Sequence, residues 1–336
     1  MENDMADAEM RARRRRRLLA IAVMLALLAV LVVLSLCTGA ARISPEDLIA
    51  ALGGTRDTAA YRILVLVRAP RTAAAALSGA ALALSGALIQ SVLRNPLGSP
   101  NVIGVNSGAG LAVIVFASFM PHHAAWLPAA AFVGALAAMG IVCLLGNLAG
   151  AGRHTLILSG VAVNMLFSAL TDFVTVAVPD SIYSRAAFRL GGLNAVQPEV
   201  LAPAAVCICI AALGAYILRD TADVLSLGDD IAANLGAHVT AMRLLLLTLA
   251  AVLAGSGVSF AGLAGFTGLV VPHIARMVFG GRMRALLPAC VVGGADLVLL
   301  CDIIARTAFA PSEIPVGIML ALIGGPFFVV LLLRHR

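Results

Sequence analysis

The stretch RDTADVLSLGDDIAANLGAHVTAMR (219–243) is a polar, helix-like insert in a strongly apolar chain. Runs long enough to cross a bilayer adjoin it, at 199–218 and 241–261. Inside the insert, apolar residues recur at helical spacing among acidic residues, which predicts short amphipathic helices. A segment of this kind between two spans lies at a membrane surface, so its pattern predicts a contact with a partner there.

The composition indicates a polytopic membrane protein. Of the 336 residues, 61% are hydrophobic and only 12% are charged, and the mean hydropathy is +1.03. Soluble domains carry roughly 25% charged residues. All 23 basic residues are arginine, which leaves a net charge of +6. Because the Walker A motif needs a lysine to reach the terminal phosphates, the chain cannot be its own P-loop ATPase.

The apolar runs predict an all-α fold with about ten transmembrane helices. A membrane-crossing helix needs roughly 20 mostly apolar residues. Ten runs fit this requirement, although the run at 266–281 is short; they lie at 18–38, 68–92, 101–120, 125–149, 155–178, 199–218, 241–261, 266–281, 286–308 and 314–333.

Arginine clusters predict that both termini are cytoplasmic. Arg13–Arg17 precede the first run and LLLRHR ends the chain, and cytoplasmic flanks are enriched in such residues. The N-terminal cluster is therefore interpreted as a topology anchor rather than a nucleic-acid contact. The predicted organisation is an Arg-rich segment at 1–17, one transmembrane domain at 18–333 and a tail at 334–336.

Several charged residues are not explained by topology. Arg56 through Arg71, and Arg185 with Arg189, fall in predicted outside loops, so they need another reason. Asp302 and Arg306 have the i, i+4 spacing of a local ion pair. The role of Asp172, inside an apolar run, stays open.

No pattern for catalysis or metal binding is found. The chain has no G-x-S-x-G and no H-E-x-x-H motif. Its six cysteines form no C-x-x-C pair and have no zinc-ligand spacing with histidine; they are Cys37, Cys143, Cys207, Cys209, Cys290 and Cys301. The sequence predicts no catalytic residue, no metal site and no enzyme activity.

Four long motifs, in order, resemble the FecCD-type permeases. These motifs are VRAPRTAAAALSGAALALSGALIQSVLRNPLGSPNVIGVNSGAG (67–110), LSLGDDIAANLGAHV (225–239), GFTGLVVPHIARMVFGGRMRALLP (265–288) and DIIARTAFAPSEIPVGIMLALIGGPFFVVLLLR (302–334). Members of this family are membrane subunits of bacterial ABC importers for iron-siderophores, haem and cobalamin. The resemblance implies the type II ABC importer permease fold.

The resemblance also implies partners and a location. It implies a second permease copy, identical or paralogous, with two ATPase subunits that hold ATP and magnesium, a substrate-binding protein, and the bacterial inner membrane. An iron-siderophore is the expected cargo, and haem and cobalamin are alternatives. An ion-coupled secondary transporter would account for the topology and Asp172 but not for the insert.

The insert matches the family's ATPase-coupling helices, which we place at 221–239. Its residues give an apolar stripe suited to a partner groove, two helix-breaking glycines and two acids that favour a helix N-terminus. They are Leu225, Leu227, Ile231, Ala232, Leu235, Gly228, Gly236, Asp229 and Asp230. Bulky or charged replacements at Ala232 or Leu235 are expected to uncouple ATP hydrolysis from uptake.

Two further sites are implied by the resemblance. Outward-facing arginines receive carboxylates of the binding protein, because guanidinium groups bind carboxylates bidentately; they are Arg68, Arg71 and Arg306. An inner gate is expected at Asn95, Pro96 and Leu97. A second gating stretch of the family carries small polar residues, and GRHTLILSG departs from it at Arg153 and His154.

Overall fold

The structure is a computed structural model that describes residues 2–39, 58–150, 152–179, 186, 188–194, 196, 198–308 and 312–334. Every long regular element in these ranges is a helix. The helices are α1 (Glu2–Cys37), α2 (Ala59–Ile63), α3 (Ala69–Leu93), α4 (Val105–Phe119), α5 (Leu127–Leu148), α6 (Arg153–Ala177), α7 (Pro198–Ile217), α8 (Arg219–Leu227), α9 (Asp229–Asn234), α10 (Val239–Ala261), α11 (Thr267–Phe279), α12 (Met283–Thr307) and α13 (Val316–Arg334). A π-helical turn, Leu64–Arg68, joins α2 to α3 without a break.

The described helices confirm the predicted all-α membrane fold. Seven helical spans are long and apolar enough to cross a bilayer, with α2, the π turn and α3 counted together as one. Three shorter apolar helices, α4, α11 and α13, bring the described set to the ten that the sequence predicts.

Helix α3 forms the centre of the bundle, with α10, α11 and α12 packed around it. Small residues allow this close approach. A Cβ added to Gly79 would overlap the carbonyl oxygen of Gly294 in α12, and one added to Gly86 would overlap that of Gly268 in α11. The packing at the core therefore depends on backbone contact at these glycines.

Replacing Gly86 with Ala is expected to lower the thermal unfolding midpoint in detergent by several degrees. The added methyl group must displace α11, and overpacking of a dense core costs about 1–3 kcal/mol. Gly140→Ala in α5 is the matched control, since a Cβ there has nothing within 4 Å. Equal midpoints for the two variants would contradict this account of the core.

Two of the short helices, α4 and α11, are each preceded by irregular backbone, at 94–104 and 262–266. At 1.5 Å per residue, the 15-residue α4 and the 13-residue α11 are about 22 and 20 Å long, shorter than the ~30 Å hydrocarbon core. Pro272 cannot donate to the carbonyl of Gly268, and Gln90 of α3 donates to that oxygen instead, at 3.2 Å. Arg276 donates in turn to Gln90. The protein thus satisfies backbone groups that lipid could not.

Side-chain pairs define the two ends of the bundle. At one end, Arg71 in the first turn of α3 contacts Asp302 near the end of α12 and Glu313 in the segment before α13. At the opposite end, the starts of α6 and α10 meet α9 through Asp229. Helix α1 runs parallel to α12, so its Arg-rich start lies at the α9 end. This agrees with cytoplasmic termini on the same side as the insert.

Candidate functional site

The 219–243 insert folds as two short helices, as the glycines predict. Gly228 follows the end of α8 and Gly236 follows the end of α9. Their φ angles, 136° and 80°, are ones that residues with a side chain rarely adopt. Ser91 of α3 donates to the carbonyl of Ala222 at 2.9 Å. The Asp223 carboxylate accepts from the Met283 backbone N–H at 2.9 Å, at the start of α12. The insert is therefore tied to the bundle at both α3 and α12.

The predicted single apolar stripe is wrong, because its residues face two ways. Leu225 and Ala232 are buried against the bundle. Leu227, Ile231 and Leu235 are 53%, 50% and 66% exposed. The partner-facing surface therefore consists of these last three side chains, which we call the apolar triplet. Replacements at Ala232 would test folding rather than partner contact.

Asp229 joins the insert to two membrane helices. Its carboxylate lies 2.7 Å from Arg153 at the start of α6 and 2.8 Å from Arg243 near the start of α10. Partial burial alone would raise the pKa of Asp229, but the hydrogen bonds and charges of Arg243 and Arg153 outweigh it and keep the pKa below its usual value. The carboxylate is therefore ionised at neutral pH and holds both guanidinium groups. Its neighbour Asp230 is exposed.

The sequence analysis did not predict the contacts of Asp229 with Arg153 and Arg243, although one feature of the sequence pointed to them. Arg153 departs from the small polar pattern expected there, and the structure shows its carboxylate partner in the insert. His154 is exposed. Ser91 and Asp223 gave no signal, because their partners are backbone groups on distant elements.

At the opposite end, Arg68 and Arg306 are buried, each 3% exposed. Arg68 donates to the carbonyls of Leu36 and Cys37 at 2.7 and 2.8 Å. Arg306 donates to the carbonyls of Ser35 and Thr38. Both therefore cap the last carbonyls of α1, which have no partner within that helix. Docking at these two residues stays a prediction.

Arg71 is the most accessible of the three arginines. It binds Asp302 through two nitrogens, at 2.9 and 3.0 Å, and Glu313 at 2.9 Å. Asp302 also meets Arg306 at 3.4 Å, the local pair that the spacing predicts. The guanidinium thus lies between a buried carboxylate and a more exposed one, at the outer rim. The segment 40–57, which follows α1, lies outside the described residues.

The predicted inner gate lies in the irregular stretch after α3. Arg94 ends that helix with a φ of 46°. The Asn95 side chain accepts from the Leu97 N–H at 2.9 Å, and Pro96 and Leu97 are exposed. The Arg94 guanidinium lies beside Gly228. This loop is consequently next to the insert, although its gating role is untested.

A cluster of polar side chains was not predicted. Asn101 and Asn106 contact each other, Ser107 donates to the Asn164 side chain at 2.6 Å, and Asn164 donates to the Asn101 carbonyl. The cluster fixes the start of α4 against α6. Asp172, further along α6, is exposed. No group of three potential metal ligands occurs among the residues that the structure describes.

Comparison with known proteins decides the family. The model of the FecCD transport family matches residues 27–334. The chain belongs to the FecCD transport family. A probable siderophore transport system permease, YfhA of Bacillus subtilis, is 36% identical over 322 residues, 94% of each chain. The hemin transport system permease HmuU of Yersinia pestis is 37% identical over 286 residues, 83% of this chain and 86% of HmuU.

A solved structure has the same fold as this FecCD protein. It is described as an inward-facing, metal-chelate type ABC transporter, with a TM-score of 0.83 and 29% identity over 94% of this chain and 99% of that one. The FecCD chain is therefore a multi-pass membrane protein with the ABC importer permease fold that the motifs imply.

Proposed function

We propose that this FecCD permease is the membrane subunit of an ATP-driven importer in the bacterial inner membrane, and that it carries an iron-siderophore. The apolar triplet is the observation that supports this most directly. Three exposed apolar side chains on short helices at the cytoplasmic end fit a groove on a partner, whereas a transporter that works alone would leave them uncovered.

The proposed assembly supplies what the chain lacks. Two copies, or this chain and a paralogue, enclose one pathway, two ATPase subunits bind the inner face, and a binding protein docks outside. ATP and magnesium belong to the ATPase subunits, since the chain has no lysine for a P-loop. The chain itself performs no chemical reaction.

The contacts at Asp229 suggest how motion passes from the ATPase to the gate. A partner that moves the apolar triplet moves α9, and the Asp229 carboxylate pulls on α6 through Arg153 and on α10 through Arg243. Ser91, on the last turn of α3, is hydrogen-bonded to α8 and should move with it. Ser91 lies just before the predicted gate at Asn95–Leu97. The insert thus acts as a lever on α3, α6 and α10, and the predicted gate directly follows α3.

The names of the relatives support an iron chelate as cargo. They include a siderophore permease, the hemin permease HmuU and the Fe(3+) dicitrate permease FecD of Escherichia coli, 37% identical over 82% of this chain. Haem is the first alternative and cobalamin the second. The binding protein would select the chelate, so the pathway needs no strong ligand of its own.

The cargo can be tested in proteoliposomes that contain the permease, its ATPase and its binding protein. With ATP on the ATPase side, a labelled ferric siderophore is expected to be transported, and haem and cobalamin are expected to be transported poorly. ATP-dependent uptake of haem or cobalamin alone would keep the importer and overturn the cargo.

Arg71→Gln is expected to slow association of the binding protein several-fold at low salt, with a smaller effect at high salt. Rim charges mainly steer encounter and are screened by salt. Arg94→Gln is the control, since that arginine lies at the opposite end of the bundle. Surface plasmon resonance at two salt concentrations measures the rates, and an unchanged rate at low salt would exclude Arg71 from docking.

A further inference from the structure

An open cleft separates α1 from the start of α12 at the cytoplasmic end. Its volume is about 890 Å³. One wall is apolar, formed by side chains of α1, α11 and α12; these are Ile21, Met24, Leu25, Phe279, Pro288 and Val292. None of the residues that line the cleft belongs to the insert, to the predicted docking arginines or to the predicted gate.

Three arginines surround the cytoplasmic mouth of this cleft. Arg17 comes from α1, Arg282 from the turn before α12 and Arg284 from its first turn. The Arg17 guanidinium reaches across to Gly280. No carboxylate lines the cleft, and none lies within ion-pair distance of these guanidinium groups in the described part of the chain. If these arginines served only to orient the chain in the membrane, they could lie anywhere on the cytoplasmic side. Instead, three arginines from α1 and the start of α12 meet at one apolar cleft.

We propose that this cleft binds an anionic diacyl phospholipid. The phosphate lies among Arg17, Arg282 and Arg284, because guanidinium groups bind phosphate oxygens bidentately. The acyl chains lie along the apolar wall. Basic pockets between transmembrane helices on the cytoplasmic side have the features that such headgroups require.

The position of the site gives the lipid a mechanical role. Arg282 and Arg284 flank Met283, whose N–H is bound by Asp223 of α8. A lipid held here would fix the turn between α11 and α12. This turn in turn holds the insert through the bond between Met283 and Asp223. This role depends on the proposed coupling function, whereas lipid binding itself does not.

Native mass spectrometry of the purified full chain tests the site, with phosphatidylglycerol and phosphatidylcholine of identical chains as probes. Phosphatidylglycerol is expected to bind more tightly, and Arg17→Gln with Arg284→Gln should remove most of this preference, on the order of fivefold for each arginine. Arg15→Gln with Arg16→Gln is the matched control, since it also removes two positive charges, from the part of α1 that does not line the cleft. Thermal midpoints confirm that each variant is folded.

Three results would overturn the site. They are equal binding of the two lipids, a preference that survives in Arg17→Gln with Arg284→Gln, and an equal loss in Arg15→Gln with Arg16→Gln. Glycerol 3-phosphate, which has the phosphate without the chains, should not compete at equal concentration. Full competition by it would show a soluble-anion site instead of a lipid site.

Discussion

Replacing Ile231 with Asp is expected to abolish ATP-driven uptake while the chain still folds and inserts. Ile231 is half exposed at the centre of the apolar triplet, so the substitution costs little within the permease. A carboxylate there would have to be buried without a partner in an ATPase groove, which costs several kcal/mol. Uptake and stimulated ATP hydrolysis are measured in proteoliposomes, and Leu235→Asp should give the same result.

Ala233→Asp on the same helix is the matched control. Ala233 is exposed but lies outside the triplet, so its variant should keep most of the uptake. Ala232→Asp should instead yield little folded protein, because Ala232 is fully buried. Normal coupled uptake by both Ile231→Asp and Leu235→Asp would show that the triplet does not contact the ATPase.

Asp229→Ala is expected to lower coupled uptake on the order of tenfold while ATP hydrolysis continues. Hydrogen bonds to charged groups contribute about 1.5–3 kcal/mol, and about 1.4 kcal/mol corresponds to a factor of ten. The side chain of Asp229 is 39% exposed, so solvent screens its ion pairs and the expected energy lies at the lower end of this range. The lost carboxylate would detach α9 from Arg153 and Arg243.

Asp230→Ala controls for loss of an acidic residue, since Asp230 is exposed beside Asp229. The charge exchange Asp229→Arg with Arg153→Asp should recover part of the uptake that Asp229→Arg alone loses. The measured quantity is uptake per hydrolysed ATP, because this ratio falls when coupling is lost but does not change when less protein is present. An unchanged ratio in Asp229→Ala would mean that the ion pairs do not transmit motion.

The ten spans and the division of the insert were predictable because they depend on local pattern. An apolar run of membrane length is a helix wherever it lies, and Gly228 interrupts α8 and α9 by its own backbone conformation. Their acidic first turns also follow from local electrostatics. These features need no knowledge of the neighbouring helices.

The orientation of the insert could not be predicted in the same way. Leu225 and Leu227 lie two positions apart on α8, so helix geometry already places them on opposite faces. Which of the two is buried depends on the contacts of α8 with Ser91 and Met283, and both of these residues are distant in sequence. A hydrophobic pattern identifies apolar side chains but not which of two apolar surfaces, the bundle or the partner, each one meets.

The arginines at the outer end show a similar limit of prediction from sequence. Topology leaves Arg68 unexplained and spacing pairs Arg306 with Asp302, but the structure shows that both arginines also donate to carbonyl groups at the end of α1. Those acceptors are backbone atoms that every residue carries, so no sequence motif marks them. Of the three arginines predicted to dock the binding protein, Arg71 is the most exposed.

The central claim is that this chain is a gate whose energy comes from a separate ATPase through the 219–243 insert. The most direct test compares uptake of a ferric siderophore into proteoliposomes with and without the ATPase subunits, under an imposed proton gradient. Uptake is expected only when the ATPase and ATP are present, and Ile231→Asp should remove it. Gradient-driven uptake by the permease alone would contradict the claim and identify an ion-coupled transporter.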